Sequence, residues 1–510
     1  MRRDPRLVAV PVVLALVAVT WVAAATSPTP PHAVAALSSV IAVHDANLVC
    51  PQAGGTPTGG AARIAYADAA QVGPTGGDST AGDSTLTAAP LGGTPDAIAT
   101  RPGHAWVVDG PATQGPVQIA VSGPLTDVLG ALQFTRAPVG SVAQVAAAPC
   151  EAPTTDAWFA GFSSVVGAHA DLLLSNEDTV AATVDVSVWG GANGEPEAKR
   201  GIRVDPQTQL DVALDQVEPG LPAAAAHVVA TSGRVVAALR YQAENGSIPL
   251  GVDWVPRTDP PALKQTVPGL LAGAGSRHLV VANPGDVDAT FSLTVVTADG
   301  SFEPTEFASL AVQAGQVHDV PLDPVLQEEA AAVIVTSTQP VVAGGISTLP
   351  PDATGASDFA FTGAVPALSG STVVAGGEVA VNVQGAVGGA ALVGRVVSSA
   401  ARHTQLVLSA PGDDASVSLT ILPSAAGSSP VDSPVTIPGG TTVVVDVGAL
   451  TPDPAPAVVI APGPGGPVFA AWSLTETSDT TADLTELVLR TPVRSLVAPP
   501  VRFDPAVGVR

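Results

Sequence analysis

The sequence predicts an all-β protein built from tandem immunoglobulin-like β-sandwich modules behind an N-terminal membrane-spanning helix or signal peptide. Three observations favour this fold class: a strand pattern that occurs three times, a strand-forming composition and an apolar N-terminal run. Hydrophobic residues make up 46% of the 510 residues but aromatic residues only 4%, and there are 52 Gly and 49 Pro. Because Val favours strands while Gly and Pro mark turns, many short strands are expected.

The repeated pattern is a short apolar run, a turn and an alternating strand. The copies read LLLSNEDTVAATVDVSVWG from Leu172, LVVANPGDVDATFSLTVVTADG from Leu279 and LVLSAPGDDASVSLTILPSAAG from Leu406. In the second copy, Phe291 and Leu293 alternate with polar residues, which indicates a half-buried strand. Columns that coincide hold Asn176, Asn283 and Ala410, and later Val235, Val341 and Val468, at spacings that agree within one residue.

Each copy has about six or seven short strands separated by turns, which favours an immunoglobulin-like sandwich. A β-propeller is the main alternative, but its blades repeat at about 40–50 residues, and these copies lie more than 100 residues apart. The predicted order is a signal or anchor (1–26), a linker (27–40), a disulfide-closed N-terminal β module (41–157), repeat 1 (158–256), repeat 2 (266–350), repeat 3 with an insertion (362–475) and a C-terminal tail (476–510).

The N-terminus has the pattern of an export signal or a single membrane span. Arg2, Arg3 and Arg6 precede an apolar run at 7–25, and the basic end is expected inside the cell. The run suits a retained span in length, while the alanines at 23–25 suit a cleaved signal. Both interpretations place the rest of the chain outside the cytoplasm. The predicted location is the cell membrane, as a single-pass protein with an extracytoplasmic bulk, with secretion as the alternative.

The chain has two cysteines, Cys50 and Cys150. In an exported chain an even count predicts a disulfide, here one that closes the N-terminal module. A redox pair or metal site is the alternative, but neither a CxxC motif nor a neighbouring His cluster accompanies these cysteines.

The net charge of −25 disfavours nucleic acid and anionic membrane surfaces as partners. It fits the solubility of an exposed protein. Cation binding is the alternative, but no acidic run has the spacing of a calcium loop.

The motifs in the sequence indicate no catalytic, cofactor-binding or metal-binding residue, so the chain is expected not to be an enzyme. GFSSV at 161–165 and GISTL at 345–349 lack the closing Gly of a nucleophile elbow. The eight histidines are scattered without ligand spacing. Adjacent acids, such as Asp413 with Asp414, are typical of a solvated face.

Four tryptophans are candidates for stacking against a ligand: Trp158, Trp189, Trp254 and Trp472. Packing in a core or at a module junction is the favoured interpretation for each, because large aromatic rings supply most of their energy when buried.

A family resemblance lies in residues 150–190, CEAPTTDAWFAGFSSVVGAHADLLLSNEDTVAATVDVSVWG. A Cys, a Trp-Phe pair with Gly, an L-L-L-x-N strand and alternating valines resemble the actinobacterial exported proteins of the DUF5719 family. Glu177 departs from the motif, because Pro284 and Pro411 occupy that column in the other copies. The resemblance implies an exported, envelope-associated protein, and it carries over no activity.

Together these features predict a non-catalytic cell-envelope protein, membrane-anchored or exported, that acts as a scaffold or partner-binding surface. A carbohydrate-binding accessory of cell-wall polymer assembly is the alternative, and a hydrolase with an inter-module site is a further one. The expected partners are the membrane, through the N-terminal span, and envelope proteins or cell-wall glycan.

Overall fold

A computed structural model describes residues 39–52, 61–69, 84–108, 115–139, 142–190, 194–273, 275–376, 381–387, 390–396, 401–425, 427–453, 455–477, 482–492 and 495–498. The predicted anchor at 1–26 and most of the linker at 27–40 lie outside these residues. Across the described ranges, no helix has the length and apolar character needed to cross a membrane. The chain divides into two compact units, one of 1–43 with 493–510 and one of 44–492.

The smaller unit contains a two-stranded antiparallel sheet. Strands β1 (Ser39–Ala42) and β36 (Ser495–Ala498) pair over their whole length, with Ser39 opposite Ala498. This sheet joins residues from near the two ends of the sequence.

The larger unit begins with the N-terminal module, which has eight strands in two four-stranded antiparallel sheets. Its strands are β2 (Asp45–Cys50), β3 (Ala61–Asp68), β4 (Thr85–Pro90), β5 (Asp96–Ala97), β6 (His104–Val108), β7 (Val117–Ser122), β8 (Leu129–Val139) and β9 (Val142–Pro149). A short 3₁₀ helix, Gly123–Asp127, separates β7 from β8. The sheet orders are β2-β7-β4-β5 and β6-β3-β8-β9.

Repeat 1 has the same arrangement. Its strands are β10 (Asp156–Phe162), β11 (Ala168–Asn176), β12 (Ala182–Trp189), β13 (Glu197–Val204), β14 (Thr208–Ala213), β15 (Ala224–Ser232), β16 (Val236–Asn245) and β17 (Ile248–Val255). A 3₁₀ turn at Leu214–Gln216 follows β14. The sheet orders are β10-β15-β12-β13 and β14-β11-β16-β17.

In repeat 2 one long strand serves both sheets. The elements are β18 (Ala262–Leu270), β19 (Arg277–Ala282), β20 (Ala289–Thr297), β21 (Gly300–Phe302), a 3₁₀ turn (Thr305–Phe307), β22 (Leu310–Val312), β23 (Val317–Pro321), α1 (Asp323–Leu326), β24 (Ala331–Thr348) and β25 (Phe359–Gly363). The first half of β24 pairs with β20, and its second half pairs with β19 and β25. The two sheets are thereby joined into one of eight strands.

Repeat 3 carries an extra hairpin. Its elements are β26 (Thr372–Val374), the hairpin β27 (Val381–Val387) and β28 (Ala390–Val396), then β29 (Ala401–Ala410), β30 (Ala415–Leu422), β31 (Val431–Ile437), β32 (Thr441–Asp446), a 3₁₀ turn (Val447–Ala449), β33 (Ala457–Gly465), β34 (Phe469–Thr477) and β35 (Ala482–Val488). The sheet orders are β26-β33-β30-β31 and β32-β29-β34-β35.

The prediction of an all-β, sandwich-like protein is confirmed. The N-terminal module, however, is a fourth copy of the unit that the sequence shows three times. In it and in repeats 1 and 3, leaving out the inserted hairpin, the strands follow the order 1-6-3-4 in one sheet and 5-2-7-8 in the other.

Strand alternation builds each module's core as the sequence predicts. In β20, Phe291, Leu293 and Val295 are buried, while the intervening residues are exposed or half-buried. Burial of one such side chain stabilises the fold by about 1.5–3 kcal/mol. Repetition of this pattern makes an apolar core between the sheets of each copy, and the core of repeat 3 continues into the N-terminal module.

The eighth strands of the four modules, β9, β17, β25 and β35, pack against one another in a closed cycle. The modules of the larger unit therefore form a ring. Gly251 permits one of these contacts, because a Cβ there would lie 2.4 Å from the Phe359 ring. The ring closes where the N-terminal module meets repeat 3, and there Phe134 packs edge-on against Trp472 with ring centroids 6.1 Å apart.

Candidate functional site

The predicted disulfide between Cys50 and Cys150 is present, and both cysteines are buried. Cys50 ends β2, and Cys150 directly follows β9. The bond therefore joins the first and last strands of the N-terminal module. The last strand, β9, is the one that this module places in the ring.

Two of the four candidate tryptophans lie in the interior. Trp254 in β17 is 4% exposed and packs with Ala146, Ala148 and Leu173, between the N-terminal module and repeat 1. Trp472 in β34 is 1% exposed and belongs to the core that repeat 3 shares with the N-terminal module. In these positions both side chains pack modules together.

The other two tryptophans meet at the junction of repeats 1 and 2. Trp158 and Trp189 stack with ring centroids 5.2 Å apart, and His227 stacks on Trp158 at 3.8 Å. The imidazole is oriented by Asp156, whose Oδ2 lies 2.9 Å from Nε2 of His227. The three rings come from β10, β12 and β15, which are neighbours in one sheet.

These rings line one wall of an open cavity of about 380 Å³. The opposite wall belongs to repeat 2, namely the Pro284–Val287 turn that follows β19, together with Gln339 and Pro340 of β24 and Pro261. The cavity thus combines aromatic and proline surfaces with a carboxylate, a carboxamide and an imidazole. We call it the junction pocket.

A second candidate site lies where the eighth strands meet. Asp253 of β17, Asp358 before β25 and Glu486 of β35 are at most 1% exposed. We call these three residues the central carboxyls. They come from three different modules, and β9 of the fourth module packs beside β17 and β35.

Asp253 is held by hydrogen bonds from other modules. Its Oδ1 accepts a hydrogen bond from the Thr485 hydroxyl at 2.8 Å, and its Oδ2 accepts one from the Phe361 amide at 3.4 Å. Thr485 Oγ1 in turn accepts the amide of Ala147 at 2.9 Å. One chain of hydrogen bonds therefore connects all four modules of the ring.

Asp358 makes the same kind of tie. Its Oδ1 accepts the amides of Val252 at 3.2 Å and Phe359 at 3.0 Å, and its Oδ2 accepts the amide of Leu484 at 2.9 Å. Its carboxyl thus bridges repeats 1, 2 and 3.

Glu486 differs from the two aspartates. Among the described residues, neither of its carboxyl oxygens has a hydrogen-bond partner. Its Oε1 occupies the space beside Gly269, where a Cβ would lie 2.0 Å away. Leaving a buried polar group without a partner costs about 1–3 kcal/mol.

Burial raises the pKa of all three central carboxyls well above their ordinary values. Repulsion adds to the effect: Asp483 and, to a smaller extent, Asp253 raise the pKa of Asp358, and Asp253 raises the pKa of Glu486. Protonation removes the cost of holding several negative charges together in a dry interior. Burial therefore favours the neutral form of each central carboxyl, while the hydrogen bonds that Asp253 and Asp358 accept favour the charged form. Within the described ranges, no group of three His, Cys, Asp or Glu side chains is arranged to hold a metal ion.

The contact between the N-terminal module and repeat 1 explains the Glu177 departure. Its carboxylate accepts hydrogen bonds from Asn47 at 3.3 Å and Gln118 at 3.4 Å, both in the N-terminal module. Arg234 of repeat 1 donates to it at 3.0 Å and also pairs with Asp178. A proline at this position could form none of these three hydrogen bonds. The glutamate is therefore specific to the contact between the N-terminal module and repeat 1.

We expect Glu177→Ala to lower the free energy of unfolding by about 1–3 kcal/mol, because the two amides and the guanidinium lose a buried acceptor. Thermal unfolding and limited proteolysis would measure the loss. Asp178→Ala is the matched control: it removes the other partner of Arg234 at a half-buried surface position, where an ion pair contributes about 0–1 kcal/mol. Equal losses for the two variants would contradict the inter-module role of Glu177.

A further tie comes from the end of repeat 3. Arg490 donates to Asp259 Oδ1 at 2.7 Å and to the carbonyl oxygens of Arg257 at 2.8 Å and Ala364 at 3.1 Å. These partners lie in the segments that follow repeats 1 and 2. A single guanidinium thereby joins the exits of three modules.

Sequence reasoning missed the central carboxyls. A signal exists for two of them, because Asp253 and Glu486 interrupt apolar strands, in LGVDWV and LTELVL, and Asp358 directly precedes the apolar strand FAF. An acid inside such a run is expected either to be paired in the interior or to be functional.

A comparison with curated proteins found no match. The sequence model of the family described as "Family of unknown function (DUF5719)" matches residues 108–448. The match begins in β6 of the N-terminal module and ends just after β32 of repeat 3, so it covers most of the ring. The resemblance seen at 150–190 is confirmed, while an actinobacterial origin stays a prediction. The chain belongs to the DUF5719 family.

Proposed function

We propose that this chain is a non-catalytic scaffold of the cell envelope, exported or anchored by its N-terminal segment, that presents a rigid ring of β-sandwich modules to envelope partners. The observation that carries the proposal is the closed cycle of eighth strands, which turns four modules into one unit. A rigid ring holds distant surface patches at constant spacing, as a scaffold requires. An immunoglobulin-like architecture of the modules is part of this proposal. Within each module the first strand pairs with the sixth.

Two further features support this proposal. The buried disulfide fits an oxidising, extracytoplasmic compartment, as the basic and apolar N-terminal sequence predicts. The central carboxyls suit a structural role, because a polymer substrate has no path to groups that are at most 1% exposed. A hydrolase with its site at the module junctions would need such a path.

The test distinguishes a function of the closed ring from a function of any single module. Gly251→Val should drive β17 from Phe359 and open the ring, whereas Gly412→Ala is a benign control, since its nearest new contact is 3.9 Å away. Full-length chains are crosslinked in intact cells, and the membrane and envelope fractions are compared. We expect a defined envelope partner with the wild type and Gly412→Ala but not with Gly251→Val. A partner that Gly251→Val retains, or no defined partner with the wild type, would overturn the scaffold role.

A further inference from the structure

The scaffold role does not account for the junction pocket. It lies between the β10-β15-β12 face of repeat 1 and the Pro284–Val287 turn of repeat 2. Its volume of about 380 Å³ lies at the lower end of the range of small-molecule sites, about 300–1,000 Å³. The ligand that fits is therefore small.

The apolar part of the pocket is preorganised. Trp158 and Trp189 are 6% and 7% exposed, because most of each ring is buried in the contact between the two repeats. What remains open is a small part of the two tryptophans beside proline surfaces. On the facing wall Val287 is 53% exposed, so an apolar side chain lies open at this site. Such walls suit a ligand that has an apolar face.

The polar part decides between ligand classes. Asp286 can only accept hydrogen bonds when ionised, whereas the Gln339 carboxamide both donates and accepts. Sugar hydroxyls, which also donate and accept, satisfy both groups. A proline-rich peptide would also suit aromatic and proline walls, but its proline residues lack the N–H that a carboxylate needs. The chemistry therefore favours a polyhydroxylated ligand.

Charge narrows the class further. Asp286 lies in the pocket, and the whole chain carries a net charge of −25. The negative charge of a uronate or a phosphorylated sugar would be repelled by Asp286 and by the net charge of the chain. We propose that the junction pocket binds a neutral carbohydrate, with the sugar ring against Trp158 and Trp189 and its hydroxyls on Asp286 and Gln339. This site is independent of the scaffold role, because ring closure does not require it.

Titration calorimetry on the oxidised full chain tests the site, in a detergent that carries no sugar headgroup. The probes are cellotriose, mannotriose and maltotriose, with trigalacturonate as the anionic counterpart and Ser-Pro-Thr-Pro-Pro, the sequence at 27–31, as the peptide counterpart. We expect at least one neutral trisaccharide to bind and trigalacturonate not to bind. Asp286→Ala and Gln339→Ala should each weaken binding at least about 10-fold, as the loss of a hydrogen bond at a charged or enclosed group predicts.

Asp299→Asn is the matched control, an exposed acid at a hairpin tip of the same module, and it should leave binding unchanged. Asp286 is itself exposed, so its replacement should not disturb folding, and thermal unfolding of each variant verifies this. Binding of the peptide in place of the sugars would reassign the pocket to proline-rich segments. Binding of no probe, or sugar binding that both alanine variants retain, would overturn the proposal.

Discussion

Replacing both cysteines, Cys50→Ala with Cys150→Ala, is expected to lower the free energy of unfolding of the N-terminal module by about 3–5 kcal/mol. The two residues are 100 positions apart, and in the chain-entropy model a loop of about 100 residues contributes about 4.7 kcal/mol. The effect should be large here because β2 is an edge strand that pairs only with β7 in its sheet. Without the disulfide, β2 depends on that ladder and on the two backbone hydrogen bonds that Val49 makes with Glu151.

The loss should extend beyond one module. Cys150 follows β9, which packs against β17 and β35 in the ring. A loosened β9 would also weaken the hydrogen bond from the Ala147 amide to Thr485, which supports Asp253. Chemical unfolding followed by tryptophan fluorescence should therefore show an earlier transition that includes signal from Trp254, at the contact of β17 with β9.

Reducing agent is the internal control. It should destabilise the wild type to about the level of the double variant, and it should leave the double variant unchanged. Equal stability of wild type and variant under oxidising conditions would show that the module holds itself together without the bond.

The strand pattern, the core faces and the disulfide were predictable because each follows from local periodicity or from a cysteine count of two. The fourth copy was not. Asp68 stands opposite His104 in its sheet, as Asn176 stands opposite Thr208 in repeat 1, so an Asp occupies the Asn column. A Gly-rich stretch also separates β3 from β4, which hides the turn spacing that identifies the other copies.

The ring and the meeting of the central carboxyls within it were beyond prediction for a different reason. Glu486, Asp253 and Asp358 lie far apart in sequence, and only the closure of the ring brings their strands together. A single acid in an apolar strand gives no information about its partners. Glu177 shows the same limit: its departure from proline was visible, but its partners Asn47 and Gln118 belong to another module.

The central carboxyls predict that the protein is more stable at pH 5 than at pH 8. In the unfolded chain an Asp or Glu titrates near pH 4, whereas burial raises the pKa of Asp253, Asp358 and Glu486 well above that value. The folded state therefore binds more protons than the unfolded state above pH 4. Its stability is fully present below that pH and is lost as the pH rises toward the folded pKa values.

Other titrating groups do not reverse this direction. The pKa of His278 is raised, chiefly by its hydrogen bond with Asp319, so this pair also loses stability as the pH rises. The pKa of Asp352 is lowered by its hydrogen bonds with Thr354, so the stability from this turn is lost only as the pH falls below the ordinary range of an aspartate. Between pH 5 and pH 8 the raised groups dominate the slope.

Glu486→Gln isolates the central carboxyl whose oxygens have no hydrogen-bond partner among the described residues. The amide keeps the shape but cannot ionise, so we expect a gain of about 1–3 kcal/mol at pH 8, little change at pH 5 and a flatter dependence on pH. Glu197→Gln, on an exposed strand, removes the same charge from the surface and should change neither stability nor slope. Urea unfolding at the two pH values measures all three chains. A wild type that is more stable at pH 8, or a Glu486→Gln variant that matches Glu197→Gln, would show that Glu486 is ionised and solvated. Burial of Glu486 would then not be the source of the pH dependence.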